Sequence, residues 1–362
     1  MLRRIMGLLL LTAWAVEGHG QADTVANRLR PEALDSHQLR VIFDLAQRYA
    51  PGGEVAVALI EGETTRFYGA RRTVEGVAEV DNRNSAFALG SISKVFTATL
   101  LAQAVTEGRL QLDDRVNDAY DFPFANGATF TYRQLANHTS GLPRLPPNLG
   151  LNMLNPYAAY TPEKLEEYLR NEVVTVGQGE RVYSNLGFGL LAYTLTHRLD
   201  GTTYGEALDE RIFNPLGMDH SSNGPDSTRA QLVPGYGANG EQVTYWSFTD
   251  AMAGAGGIVS TPEDMARFVR KQFDADNAAV ILTHQPTLTF DGQRATGLGW
   301  QIVHTPSART VYLHNGAVAG YRAFVAVDVE DSVGVVVLTN VLRAGDEVDD
   351  VGMQLLQSLS IK

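Results

Sequence analysis

The chain has 362 residues, 44% of them apolar and 19% charged, with a formal net charge of −12. That apolar content excludes a disordered chain, and the excess of 41 acidic over 29 basic residues argues against nonspecific binding to nucleic acid or anionic lipid. The absence of cysteine excludes disulfides, thiolate zinc sites and cysteine nucleophiles together.

In chain order, Arg3 and Arg4 precede an apolar run from Ile5 to Val16, and small residues follow at Gly18, Gly20 and Ala22. This pattern predicts an export signal over residues 1–22, cleaved after Gly20 or Ala22, and hence a secreted or periplasmic mature protein. The run is shorter than the roughly 20 apolar residues that span a bilayer, so no stable membrane anchor is expected. A helix is predicted at 36–50, then a strand at 54–61 with a hairpin partner at 64–70. From 91 to 108 the apolar period becomes helical, with Gly108 as the stop. Residues 110–240 read as a loop-rich, helical region. Thr161-Pro162-Glu163 and Thr261-Pro262-Glu263 each look like an N-cap, a Pro at the first helical position and an acid in the first turn. Strands return at 298–304, 310–318, 322–329 and 334–339, spaced as an antiparallel meander. A final amphipathic helix is expected at 346–359. The expected fold is therefore mixed α/β (α+β): one antiparallel sheet built from both chain ends and flanked by helices, with an all-α region inserted and a cleft where the parts meet.

Three short motifs could carry chemistry. In Ser91-Ile92-Ser93-Lys94 the serine follows Gly90 at a predicted helix start, and Lys94 shares its face three residues on. A serine hydroxyl needs an adjacent base to act as a nucleophile, and a desolvated lysine can supply one. Ser93 shares a face with neither, so its loss is expected to be mild. Tyr183-Ser184-Asn185 reads as an extended segment whose first and third side chains point the same way. His314-Asn315-Gly316 sits in a predicted strand, where Gly316 would let a substrate approach the backbone. Each motif alone also fits a structural role: a helix cap, a polar loop, an edge histidine. Gly187-Phe188-Gly189 is expected to permit close packing, and the eight histidines show no zinc-binding H-E-x-x-H pair.

The order and spacing of the three motifs resemble the penicillin-recognising serine hydrolases: class C β-lactamases, related DD-peptidases and esterases. Supporting segments are Ala88-Leu89-Gly90, Asn137-His138-Thr139-Ser140-Gly141-Leu142-Pro143, Pro215-Leu216-Gly217-Met218 and Gly297-Leu298-Gly299-Trp300. The resemblance implies a β-lactamase/transpeptidase-like fold, with one hydrolase domain over 36–345, its helical insertion at about 110–240, and a closing helix in 346–362. It implies Ser91 as the acylated nucleophile, Lys94 and Tyr183 as the groups that trade its proton, and Asn185 as an orienting amide. It places His314 where many members carry lysine, with Gly316 beside the substrate and the N–H groups of Ser91 and Ala317 forming an oxyanion hole. No metal or organic cofactor is implied. The substrates implied are a β-lactam, a D-Ala-D-Ala-type peptide or an ester.

Two departures shape the expected substrate. Class C β-lactamases carry a glutamine where Leu145 stands here, and His-Asn-Gly replaces Lys-Thr-Gly. Both fit a cell-wall DD-carboxypeptidase/endopeptidase first, with a class C-like β-lactamase and a small-ester hydrolase as enzyme alternatives. An inactive peptide-binding scaffold is the non-enzymatic one. A free imidazole titrates near 6.5, so His314 is expected either to hold a substrate carboxylate as a titratable cation or to hydrogen-bond as a neutral ring.

Overall fold

Ten strands form the main sheet: β1 (Asn27–Arg28), β2 (Glu54–Glu61), β3 (Thr64–Thr73), β4 (Gly76–Glu79), β5 (Leu288–Thr289), β6 (Arg294–Thr296), β7 (Gln301–His304), β8 (Thr310–Val318), β9 (Tyr321–Asp328) and β10 (Val333–Thr339). They come from a computed structural model that describes residues 25–359 apart from 32, 151, 153 and 307. The export signal expected at 1–22 lies outside the described residues. The spatial order is β1-β4-β3-β2-β10-β9-β8-β7-β6-β5, antiparallel throughout except for the short β1–β4 pair.

The seam between β2 and β10 joins the chain ends, with Val57 opposite Val337. Both strands are apolar on both faces. Val55, Val57 and Leu59 enter one core, while Ala56, Ala58 and Ile60 enter the other. Such strands are stable only in the middle of a sheet covered on both sides. One cover consists of α1 (Ser36–Ala46) and the terminal helix α9 (Glu347–Leu359). The opposite face packs against a larger helical body. It includes α2 (Ser93–Thr106), α3 (Tyr132–Ala136), α4 (Pro162–Asn171), α5 (Asn185–Tyr193), α6 (Asp250–Gly256), α7 (Pro262–Lys271) and α8 (Ala278–His284). None of the described helices is long and apolar enough to cross a membrane.

Local differences from expectation have local causes. Helix α1 stops at Ala46 rather than 50, and the chain turns back through Gly52 at φ +99°. Strand β7 begins at Gln301, not 298, because Gly299 at φ +73° closes a turn in which Gly297 N–H donates to Trp300 O. Thr261 caps α7 by accepting from Asp264 N, whereas Thr161 makes no such side-chain bond to α4. The region 110–240 is not wholly helical. Ser222–Asn223 and Gly235–Gly237 are short strands, the latter pairing with Val341–Leu342 after β10.

Candidate active site

Gly90 has φ +52°, a left-handed conformation that turns the chain sharply into the 3-10 turn Gly90–Ile92 and so into α2. A Cβ at Gly90 would also lie 2.8 Å from Ala317 N. Gly316 is its counterpart, because a Cβ there would fall 1.9 Å from Leu89 O and 3.2 Å from Ser91 N. These two glycines let the Ser91 turn press against β8 and bring the Ser91 and Ala317 amides to one junction. The strand edge is open there because β7 pairs only with residues 310–313 of β8.

Lys94 lies one helical turn beyond Ser91 and is fully buried. Its ammonium donates to Ser91 Oγ at 3.1 Å, Asn185 Oδ1 at 2.9 Å and Ala255 O at 2.7 Å. Three donors meet three acceptors, which holds the charge without water. Burial nevertheless pushes the lysine below its ordinary pKa, partly opposed by Tyr183. Burial alone would raise the Tyr183 phenol. The Lys94 charge and the adjoining Ser91 and Arg144 outweigh it and hold the phenol below its usual value. A weakened cation beside a strengthened acid is suited to exchanging one proton.

Ser184 caps α5, accepting from Gly187 N at 2.8 Å and donating to Pro143 O at 2.7 Å. That cap delivers Asn185 as the first residue of α5, with Nδ2 donating to Tyr157 Oη at 3.2 Å. Close contact of α5 with α6 places Ala255 O under Lys94. It depends on glycine, since a Cβ at Gly189 would lie 2.3 Å from Ala251 O, and one at Gly254 would lie 2.2 Å from Ala192 Cβ. Gly189 therefore has the packing role expected of its motif.

His314 corrects one of the two expectations for it. The ring is buried, and Nδ1 lies 2.7 Å from Asn315 O. A carbonyl only accepts, so Nδ1 carries the proton and Nε2 is left as an acceptor. Burial and then the Lys94 charge push its pKa down to about 3. At neutral pH His314 is a neutral ring, not a titrating cation. Ser93 has a structural part. It is fully buried, and its Oγ accepts from Ile258 N at 3.0 Å, tying α2 to the short strand Ile258–Ser260.

The structure brings Ser91, Lys94, Tyr183, Asn185, His314, Gly316 and Ala317 into one cleft. It adds three groups that the motif reading left without a role. Ala255 contributes a carbonyl, which no side-chain pattern could reveal. Tyr157 holds Asn185 and stacks on Phe248 with centroids 4.6 Å apart. His138, at φ +65°, accepts from Ser184 N at 3.0 Å and lies against Tyr183 with ring centroids 4.4 Å apart.

A family model described as Beta-lactamase matches residues 44–358. The D-alanyl-D-alanine-carboxypeptidase/endopeptidase AmpH of Escherichia coli (strain K12) is 27% identical over 349 residues, covering 86% of this chain and 89% of that protein. A solved beta-lactamase/D-alanine carboxypeptidase from Yersinia pestis is 26% identical with a TM-score of 0.72, covering 89% of this chain and 96% of the other. A class C beta-lactamase structure aligns with a TM-score of 0.74 at 23% identity, covering 89% of this chain and 95% of the other, and so supports the fold alone.

Proposed function

The chain belongs to the beta-lactamase family and is a serine hydrolase, and from that premise we propose that it is an exported DD-carboxypeptidase/endopeptidase that acts on cell-wall peptides through an acyl-enzyme at Ser91. The observation that carries the reading is the buried Lys94 donating at once to Ser91 and Asn185, with its ammonium 4.9 Å from the centre of the Tyr183 ring. Ser91 Oγ attacks the scissile carbonyl as its proton passes to the Lys94–Tyr183 pair. The negative oxygen that develops is held by the N–H groups of Ser91 and Ala317, usually the largest electrostatic contribution in such reactions. Tyr183 returns a proton to the departing amine, and a water activated at the same phenol then cleaves the ester. Residues 1–22 deliver the protein across a membrane and are removed.

Leu145 favours the peptidase over a β-lactamase, because it offers no hydrogen bond to the amide of a bound acyl group and so leaves the deacylating complex loosely placed. A small-ester hydrolase is the second reading on that same observation, since an ester without an amide loses nothing at Leu145. The test is intact-mass spectrometry after mixing with penicillin. A persistent adduct on Ser91, absent from Ser91→Ala, is expected. Rapid penicillin turnover without an adduct would replace the peptidase by a β-lactamase.

A further inference from the structure

Among the described residues, four other than glycine adopt a left-handed backbone: Asn126, His138, Ala308 and Ser332. Asn126 and Ala308 are exposed and Ser332 is half-buried, whereas His138 is buried. A histidine with φ +65° in a packed interior persists only where its surroundings over-determine it, and such residues cluster at functional sites.

His138 grips the chain on both sides of Tyr183. Its carbonyl accepts from Val182 N at 2.8 Å, and its Nδ1 accepts from Ser184 N at 3.0 Å. The hold continues along the loop, where Thr139 O accepts from Gly179 N at 2.9 Å and Gly141 O from Val176 N at 2.7 Å. The His138 ring lies against the Tyr183 ring with centroids 4.4 Å apart, and against Phe188 of α5 at 5.0 Å. A backbone N–H only donates, so Nδ1 is the unprotonated nitrogen and Nε2 carries the hydrogen. The groups facing the ring are the cations Lys94, Arg181 and Arg144 and the neutral His314; burial and these cations hold the imidazole well below its ordinary pKa. The Nδ1 acceptor is therefore kept throughout the neutral range.

We propose that His138 is a positioning residue for acylation: it fixes the backbone on both sides of Tyr183 and backs the phenol ring, so that the hydroxyl stays aimed at Ser91 and Lys94. This rests on Tyr183 as a group that trades the proton of Ser91. Histidine joins a planar ring to a neutral acceptor, whereas phenylalanine keeps only the ring and asparagine only the acceptor. A displacement of about 1 Å in a reacting group can cost on the order of 10²-fold in rate, so a support of this kind has a measurable effect.

The test is a double-mutant cycle between residues 138 and 183, read in single-turnover acylation of the full mature protein by p-nitrophenyl acetate. His138→Phe is expected to lower the acylation rate about 10- to 100-fold, with the half-saturating ester concentration changed less than about 3-fold. His138→Asn tolerates a left-handed backbone and retains an acceptor, so it should recover part of that loss. In a Tyr183→Phe background the same changes should cost less than about 3-fold, because the hydroxyl they aim is gone. Defects that multiply, a loss confined to ester binding, or an Asn variant no better than Phe would overturn the positioning role. If His138→Phe does not fold, the cycle is closed with His138→Asn, whose smaller loss must likewise vanish in the Tyr183→Phe background. The penicillin adduct is scored separately. A missing adduct with the coupling intact removes the peptidase reading and leaves His138 in its role. A persistent adduct without coupling removes the role alone. Acylation of Tyr183→Phe at the parental rate would remove both the role and the proton-trading tyrosine.

Discussion

At the floor of the cleft Lys94 donates to three acceptors and Asn185 is held from both ends, whereas at the rim Leu145 is exposed and Arg144 and Arg181 have no carboxylate beside them among the described residues. The floor is satisfied before any substrate arrives, so its geometry costs no reorganisation at the moment of reaction. The rim holds exposed charge and apolar surface. On the proposed mechanism, bond-making is preorganised below and discrimination between substrates is left to the edge. Changes at the floor should alter rate for every substrate, and changes at the rim should alter the ranking of substrates.

The largest effect should come from breaking the floor. Lys94→Ala and Tyr183→Phe are each expected to lower kcat/KM by about 10²- to 10⁴-fold for peptide and ester alike. Because the two exchange one proton, the double variant should be scarcely worse than the poorer single one. Multiplied defects in single-turnover acylation would show that the two groups act independently.

At the rim, Leu145→Gln should sharpen the contrast. Restoring an amide that can bond the acyl group is worth about 0.5–1.5 kcal/mol at this exposed position. The lifetime of a penicillin adduct should accordingly shorten by roughly 2- to 12-fold, while acylation changes little. Time-resolved mass spectrometry reads both steps, and an unchanged lifetime would remove Leu145 as the cause of slow release.

This division also explains what the sequence disclosed. Strands β2 and β8 were legible to the residue, because alternation and β-branched content are local properties. Ser91, Lys94, Tyr183 and Asn185 were legible because their chemistry lies in side chains at short, ordered spacings. Ala255 was not, since a backbone carbonyl has no residue type, and Tyr157 sits in an irregular stretch with no period. The His314 charge state was hidden for another reason. It depends on burial and on Lys94, which lies 220 positions away in the chain.

Ser93 tests whether the floor's neighbours serve rate or stability. Ser93→Ala leaves the buried Ile258 N–H without its acceptor, a loss of about 1–3 kcal/mol. Thermal or urea unfolding should register that loss, while kcat per folded molecule stays within a few-fold of the parent. A large fall in kcat with unchanged stability would place Ser93 in the chemistry instead.

The smallest effect concerns pH and the charge state of His314. A histidine with a pKa of about 3 in the folded protein stays neutral from pH 5.5 to 7.5. The preference for an ester bearing a free carboxylate over the same ester bearing a carboxamide should therefore be flat across that range. A decline centred near pH 6.5 would restore the cationic His314. The same shift has a consequence for folding. The unfolded chain protonates this imidazole near 6.5 and the folded chain only near 3, so between those values the unfolded state binds the extra proton. Stability from this site is complete above about pH 6.5 and declines as pH falls toward 3. His284, lowered to about 4 by burial, contributes with the same sign. His314→Gln should then remove part of the acid-side slope of Tm between pH 7 and 5, with His284 and the likewise lowered, buried His138 sustaining a remainder. An undiminished slope in that variant would mean that the ring at 314 is protonated in the folded protein after all.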